Sequence, residues 1–209
     1  MSRRGIPFVV AAPSGTGKTT VCRILVDGDP RLEFSVSHTT RERRASECDG
    51  HDYHFVSRER FRELADGGAF LEWAEYNGNL YGTSQMAIDA PLGRGHDVIL
   101  EIEIQGAAQV RERRRDARFV FLLPPSMEAL RERLQGRGTD AIEVIEKRLR
   151  WAREKEFGAA RIFDYAVVNA DLESCLVDVR AIVAAERAGE VDALRRRFEP
   201  EQALERFPG

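Results

Sequence analysis

Residues 12–19 read Ala12-Pro13-Ser14-Gly15-Thr16-Gly17-Lys18-Thr19, directly after the apolar run Ile6-Pro7-Phe8-Val9-Val10-Ala11. That order reads as a strand feeding a glycine-rich loop, then a helix over residues 19–26. Glycines let the backbone curl so that consecutive N–H groups point at an anion. The helix N-terminus adds a favourable dipole. In such a loop Lys18 reaches the β- and γ-phosphates of a nucleotide, and the Thr19 hydroxyl ligates Mg2+. The usual first glycine of the pattern is Ala12 here. An ordinary glycine-rich turn is the alternative, and the strand before and helix after weigh against it.

A second group of chemically capable residues lies downstream. Ser37-His38-Thr39-Thr40-Arg41-Glu42-Arg43-Arg44 sets hydroxyls and three arginines at the end of an apolar run. Asp49-Gly50-His51-Asp52-Tyr53-His54-Phe55-Val56 follows, then Phe70-Leu71-Glu72-Trp73 and Gly78-Asn79-Leu80-Tyr81-Gly82-Thr83-Ser84. Arginines with tyrosine hydroxyls make a strong monophosphate clamp. A solvated charge run is the plain alternative for Arg41 to Arg44, as an outward-facing strand glutamate is for Glu72.

The elements that must hold these groups follow from the apolar pattern. Near-continuous apolar runs at 8–11, 34–37, 98–102, 119–123 and 165–168 read as strands buried on both faces. Helical patterns fall at 19–26, 105–113, 127–134, 142–157 and 172–187. The alternation predicts an α/β fold, a parallel sheet with helices on both sides. Ligands of such sheets bind beyond the carboxyl ends of the strands. Residues 38–90 interrupt the alternation with a polar loop, short strands near 53–56 and 70–76, a helix near 58–65 and a turn before residues 80–82. They read as a small inserted α+β lobe. Residues 136–142 join two charged helices. The charged tail after Gly189 reads as a short helix with a frayed end.

Bulk properties narrow the classes. The chain has 209 residues, 43% hydrophobic and 32% charged, with a net charge of −3. This suits a soluble globular protein and gives no general affinity for polyanions such as nucleic acid. No apolar run approaches the roughly 18 residues of a membrane span, and no signal peptide is expected. Cys22, Cys48 and Cys175 lie far apart, which excludes a zinc ribbon and suits thiols in a reducing cytoplasm. Lys18, Lys147 and Lys155 are the lysines among 32 basic residues. Lys18 keeps a compact ammonium where one is wanted between phosphates.

Taken together, these segments resemble the guanylate kinase family from about residue 6 to residue 186. The phosphate loop alone says only "nucleotide". The specific signal is S-x-x-T-T-R, D-G-x-D-Y-x-F, F-L-E-W, Y-G-T and E-I-x-x-Q-G, in that order. The resemblance implies a kinase that moves the γ-phosphoryl of MgATP to GMP, and to dGMP. It also implies a P-loop α/β/α core (5–37 and 91–188), a GMP-binding lobe (38–90), a mobile lid (126–157) and a tail (189–209). Ala12, Pro13, Ser14, Gly15, Thr16, Gly17, Lys18, Thr19 and Thr20 would hold ATP's phosphates, with Asn169 near the adenine. Arg41 and Arg44 would hold the GMP phosphate with Tyr53 and Tyr81. Ser37 and Thr83 would contact guanine O6, and Glu72 would accept from N1–H and the 2-amino group. Glu101 and Glu103 would lie near guanosine and metal, Glu103 through a water. Arg137 and Arg148 would be lid arginines that reach the transferring phosphate, joining Lys18 and Arg41 as catalytic groups.

Base chemistry supports that assignment of Glu72. A buried carboxylate accepts from two guanine donors and repels N1 of adenine, which is an acceptor. Phosphoryl transfer then needs positioning and charge neutralisation more than covalent help. Four departures from the family pattern stand out: Ala12, Glu103 in place of aspartate, Glu42-Arg43 in place of two prolines, and Ala170 in place of an acidic residue. A phosphopeptide-binding scaffold domain and a kinase of another phosphorylated acceptor are the competing readings. Intact Lys18 and Thr19 oppose the first. Glu72 with Ser37 and Thr83 opposes the second. Monomer and homo-oligomer both remain open.

Overall fold

The computed structural model describes residues 4–76, 78–136 and 141–208. In chain order β1 (Pro7–Ala11) leads through the glycine loop into α1 (Lys18–Asp27). Next come β2 (Leu32–Phe34), the two-residue strands β3 (His38–Thr39) and β4 (His54–Phe55), and α2 (Arg58–Asp66). They are followed by β5 (Phe70–Tyr76), β6 (Asn79–Ser84), α3 (Gln85–Gly93), β7 (Asp97–Glu101) and α4 (Ile104–Arg113). The remainder is β8 (Arg118–Leu123), α5 (Met127–Gly136), α6 (Ile142–Trp151), the short α7 (Phe157–Ala159), β9 (Tyr165–Val168), α8 (Leu172–Ala188), α9 (Asp192–Arg197) and α10 (Pro200–Glu205).

The larger sheet has the order β2-β7-β1-β8-β9. β2 runs parallel to β7, and β8 parallel to β9. The apolar runs are buried as a sheet covered on both faces requires: Val9, Val98, Leu100, Phe119, Phe121 and Leu122 are fully inaccessible to solvent. The expected α/β class with a parallel sheet is what the chain adopts. Its contacts divide into two compact units, one reaching up to Phe8 and continuing with Pro30–Ala117, the other Val9–Asp29 with residues from Arg118 onward. No helix among the described residues is long and apolar enough to cross a membrane.

The first unit also carries a four-stranded sheet in the order β4-β3-β6-β5. β3 pairs parallel with β4 and antiparallel with β6, and β5 pairs antiparallel with β6. Phe61 of α2 packs on Phe70 of β5 with ring centroids 4.6 Å apart, and Leu80 completes this small core. Between Phe70 and Glu72 the register slips, a bulge that breaks alternation and leaves Phe70, Leu71 and Glu72 buried in succession.

Side-chain caps open α2, α3 and α8. Ser57 accepts from Arg60 N at 3.1 Å, Ser84 from Ala87 N at 3.2 Å and Asp171 from Ser174 N at 2.8 Å. Four expectations need correction. The strand expected at 34–37 ends at Phe34: Ser35 N still donates to Ile99 O (2.9 Å), but Ser37 O already accepts from His54 N of β4 (2.9 Å). The unforeseen α3 forms because Ser84 caps it, while Pro91 near its end forfeits only one backbone bond. The helix expected over 142–157 passes through a π turn at Ala152–Glu156, which buries both of those residues. The tail forms two helices rather than one with a frayed end, because Phe198 O accepts from Ala166 N of β9 (2.8 Å) and Arg195 reaches Glu186 (3.3 Å).

Candidate functional site

In the second unit, β1 ends at Ala11 and the chain curls through a glycine-containing turn into α1. Gly15 and Gly17 take φ of 98° and 97°, which side-chain-bearing residues rarely adopt. Gly17 caps α1 with no side-chain hydrogen bond, so Lys18 and Thr19 open the helix in its first turn. Thr16 is fully buried, and its Oγ1 lacks a protein partner. Two side chains brace the loop through the Thr16 carbonyl: Asn169 Nδ2 donates to it at 2.7 Å and Arg133 Nη1 at 3.2 Å. Arg133 Nη2 also donates to Asn169 O at 2.9 Å. Asn169, expected near the adenine, therefore acts on the loop itself. Arg133 was not foreseen; within an amphipathic helix it reads as an ordinary solvent-facing arginine. Arg148 of α6 comes to the loop and donates to Ser14 Oγ at 3.2 Å. Arg137 lies outside the described residues.

The loop suits Mg2+ carried by a nucleotide. The cation keeps several waters and takes only one or two protein oxygens beside substrate phosphates. The Thr19 hydroxyl, exposed in the first turn of α1, is such a donor.

The first unit gathers the other group. Glu72 and Thr83 are direct cross-strand partners on β5 and β6. Glu72 is 4% exposed and Thr83 fully buried. Thr83 Oγ1 donates to Glu72 Oε1 at 2.5 Å, and Ser37 Oγ lies 3.2 Å from Thr83 Oγ1. A hydroxyl has one proton, so Ser37 is the donor of the second bond. Burial raises the Glu72 carboxyl above the usual range, a push that the Thr83 hydrogen bonds and Arg113 oppose and Glu103 reinforces. Glu72 thus faces into the protein. Glu103 immediately precedes α4 without a side-chain cap bond, and Glu101 ends β7.

The same unit gathers an arginine–tyrosine cluster. The Arg41 guanidinium lies 5.5 Å from the Tyr53 ring centroid, and the Tyr53 and Tyr81 rings are 6.0 Å apart. Arg41 Nη2 donates to Glu47 Oε1 at 2.7 Å, and Arg44 N donates to Glu47 Oε2 at 2.9 Å. Arg43 Nη1 closes the loop onto Glu47 O at 2.7 Å. Where two prolines would stiffen the chain covalently, Glu42 O accepts from Arg41 and Arg43 ties the loop's far side. The hydrogen bond from Arg41 holds the Glu47 carboxyl below its usual range. Glu47 was missed because a glutamate in a charged loop carries no signal of its own.

Comparison with known proteins identifies the family. The family described as guanylate kinase matches residues 4–186. A guanylate kinase of Methylobacillus flagellatus is 50% identical over 184 residues, 88% of this chain and 91% of the relative. One of Hahella chejuensis is 46% identical over 198 residues, 95% of this chain and 94% of the relative. The crystal structure of guanylate kinase from Anaplasma phagocytophilum superposes with a TM-score of 0.73 at 31% identity, covering 98% of this chain and 94% of that one. On sequence and fold alike, this chain belongs to the guanylate kinase family.

Proposed function

We propose that the chain transfers the γ-phosphoryl group of ATP to GMP, giving ADP and GDP, with the acceptor base chosen by Glu72. The observation that carries this is a carboxylate buried at 4% exposure and met by two hydroxyls, Thr83 directly and Ser37 behind it. Guanine's N1–H and 2-amino donors match Glu72. Once they take over that carboxylate, the hydroxyl protons of Thr83 and Ser37 become free to turn to O6. Adenine presents an acceptor at N1 against the same carboxylate and has no amino donor at position 2.

Arg41, Arg44, Tyr53 and Tyr81 hold the acceptor phosphate; Arg41 and Arg44 exchange Glu47 for it or share it. The loop 12–20 binds ATP's phosphates through backbone N–H groups and Lys18. Arg148, and Arg137 with it, neutralise charge on the transferring group. The Thr19 hydroxyl would hold Mg2+, which would supply further charge neutralisation. Asn169 and Arg133 keep the loop in shape. The unbridged Cys22, Cys48 and Cys175 support placing this chemistry in a reducing cytoplasm. ADP formation from ATP, measured with GMP, AMP, CMP or UMP as acceptor, tests the reading: GMP supports turnover and the others little. Equal turnover with all four would overturn it.

A further inference from the structure

Helix α4 carries a glycine inside its first turn, where alanine would favour the helix by about 1 kcal/mol. Gly106 is absent from the residues with positive φ, so its backbone is one that any residue adopts. Space, then, is what the glycine supplies. A methyl group at Gly106 would stand 2.3 Å from Glu72 Oε2, 3.0 Å from Cδ and 3.5 Å from Cγ, and these are its three nearest neighbours. Ordinary contact begins at 3.4 Å, so one partner would have to move by about an ångström.

The helix is poorly placed to yield. Gln109 Nε2 donates to Trp73 O at 2.8 Å, and Gln109 Oε1 accepts from Trp73 N at 3.4 Å. Arg113 donates to Leu71 O. Leu71 and Trp73 flank Glu72 in the chain, so α4 is pinned to β5 on both sides of the carboxylate. On the other side, Thr83 donates to Glu72 Oε1 at 2.5 Å. What a side chain at 106 would displace is therefore the carboxylate.

We propose that Gly106 is a positioning residue for base selection: by lacking a Cβ it sets where the Glu72 carboxylate stands, and so how strongly guanine is preferred. This rests on Glu72 as the acceptor of guanine's donors. Gly106 touches no substrate and acts through Glu72.

The test measures kcat and KM for GMP and AMP at saturating ATP in the full chain, for wild type, Gly106→Ala, Glu72→Gln and the double variant Gly106→Ala/Glu72→Asp. An ångström of misplacement costs up to roughly a hundredfold. KM for GMP should rise ten- to a hundredfold in Gly106→Ala, with kcat and AMP efficiency held within about threefold, since base contacts are made before and during transfer. In the double variant the shorter acid withdraws from the methyl, and the ratio of GMP to AMP efficiency should recover several-fold. A helix-packing role would show no such rescue. If Glu72→Gln collapses the ratio and Gly106→Ala leaves it unchanged, Gly106 has no positioning role and the reading of Glu72 survives. If neither changes it, Glu72 does not read the base and the inference falls with it. Should Gly106→Ala fail to fold, the double variant decides: it folds and discriminates if the conflict is with the carboxylate alone, and a double variant that also fails to fold overturns the proposal.

Discussion

Thr83 gives its hydroxyl proton to Glu72 across a 2.5 Å hydrogen bond between neighbouring strands. That hydroxyl keeps a buried carboxylate satisfied, and on the proposed reading a guanine donor would take its place. The cost of burial is still visible in the raised Glu72 pKa.

That cost has a testable sign. The folded Glu72 carboxyl holds its proton more tightly than the unfolded one, because burial disfavours the charge. Its contribution to stability is full below the ordinary carboxylate range and is lost as pH rises through the folded value. Glu72→Gln removes this titration. Without nucleotide, the variant should melt at or above the wild type at pH 7–8, with the gap narrowing toward pH 4.5. Each kcal/mol recovered raises the melting temperature by about 2–4 °C in a chain of this size. Melting curves of both proteins across that range check it; a variant that loses stability relative to the wild type as pH rises would contradict it.

Lys18→Ala removes a charge from the phosphate loop while Gly15 and Gly17 keep its path. Turnover should fall by roughly a thousandfold, the scale of losing an electrostatic contact in the transition state. Circular dichroism and melting should remain close to wild type. Near-normal turnover would show that the loop does not hold the transferring phosphate through this residue.

The two clamp arginines should separate by their stability effects. Arg41 pairs with Glu47 at 2.7 Å, both side chains largely sheltered, whereas Arg44 is mostly exposed with its guanidinium 3.9 Å from Glu47. Arg41→Ala and Arg44→Ala should each raise the KM for GMP by roughly ten- to a hundredfold, the worth of a hydrogen bond to a charged group. Only Arg41→Ala should also lower the melting temperature, since it removes the sheltered charged partner of the Glu47 carboxylate. Equal melting of the two variants would show that Glu47 does not organise the clamp.

Much of this was legible in the chain. The phosphate loop announces itself because its glycines, lysine and threonine sit between an apolar run and a helical pattern, all local signals. Fully buried strands such as Phe119–Leu123 show as unbroken apolar runs. The strand β3 did not show, because two residues cannot display alternation. Helix α3 was hidden by Pro91. Glu72 stood out through its motif, but its burial depends on a bulge that no period-2 pattern contains. Arg133, Glu47 and Gly106 were silent for one shared reason. Each acts through tertiary contacts: Arg133 on a carbonyl 117 residues away, Gly106 by what it leaves out.

The measurement closest to the central claim is the ratio of kcat/KM for GMP to that for AMP, in the wild type and in Glu72→Gln. The amide keeps the size, loses the charge and sets a donor against guanine's donors. A mispaired buried donor costs about 1–3 kcal/mol, and more where a charged acceptor was lost. The account predicts that GMP efficiency falls ten- to several-hundredfold while AMP, whose N1 can accept from the amide, loses much less. A folding defect would lower both equally and leave the ratio alone. An unchanged ratio would contradict the account, because the buried carboxylate on β5 would then have no part in choosing the base.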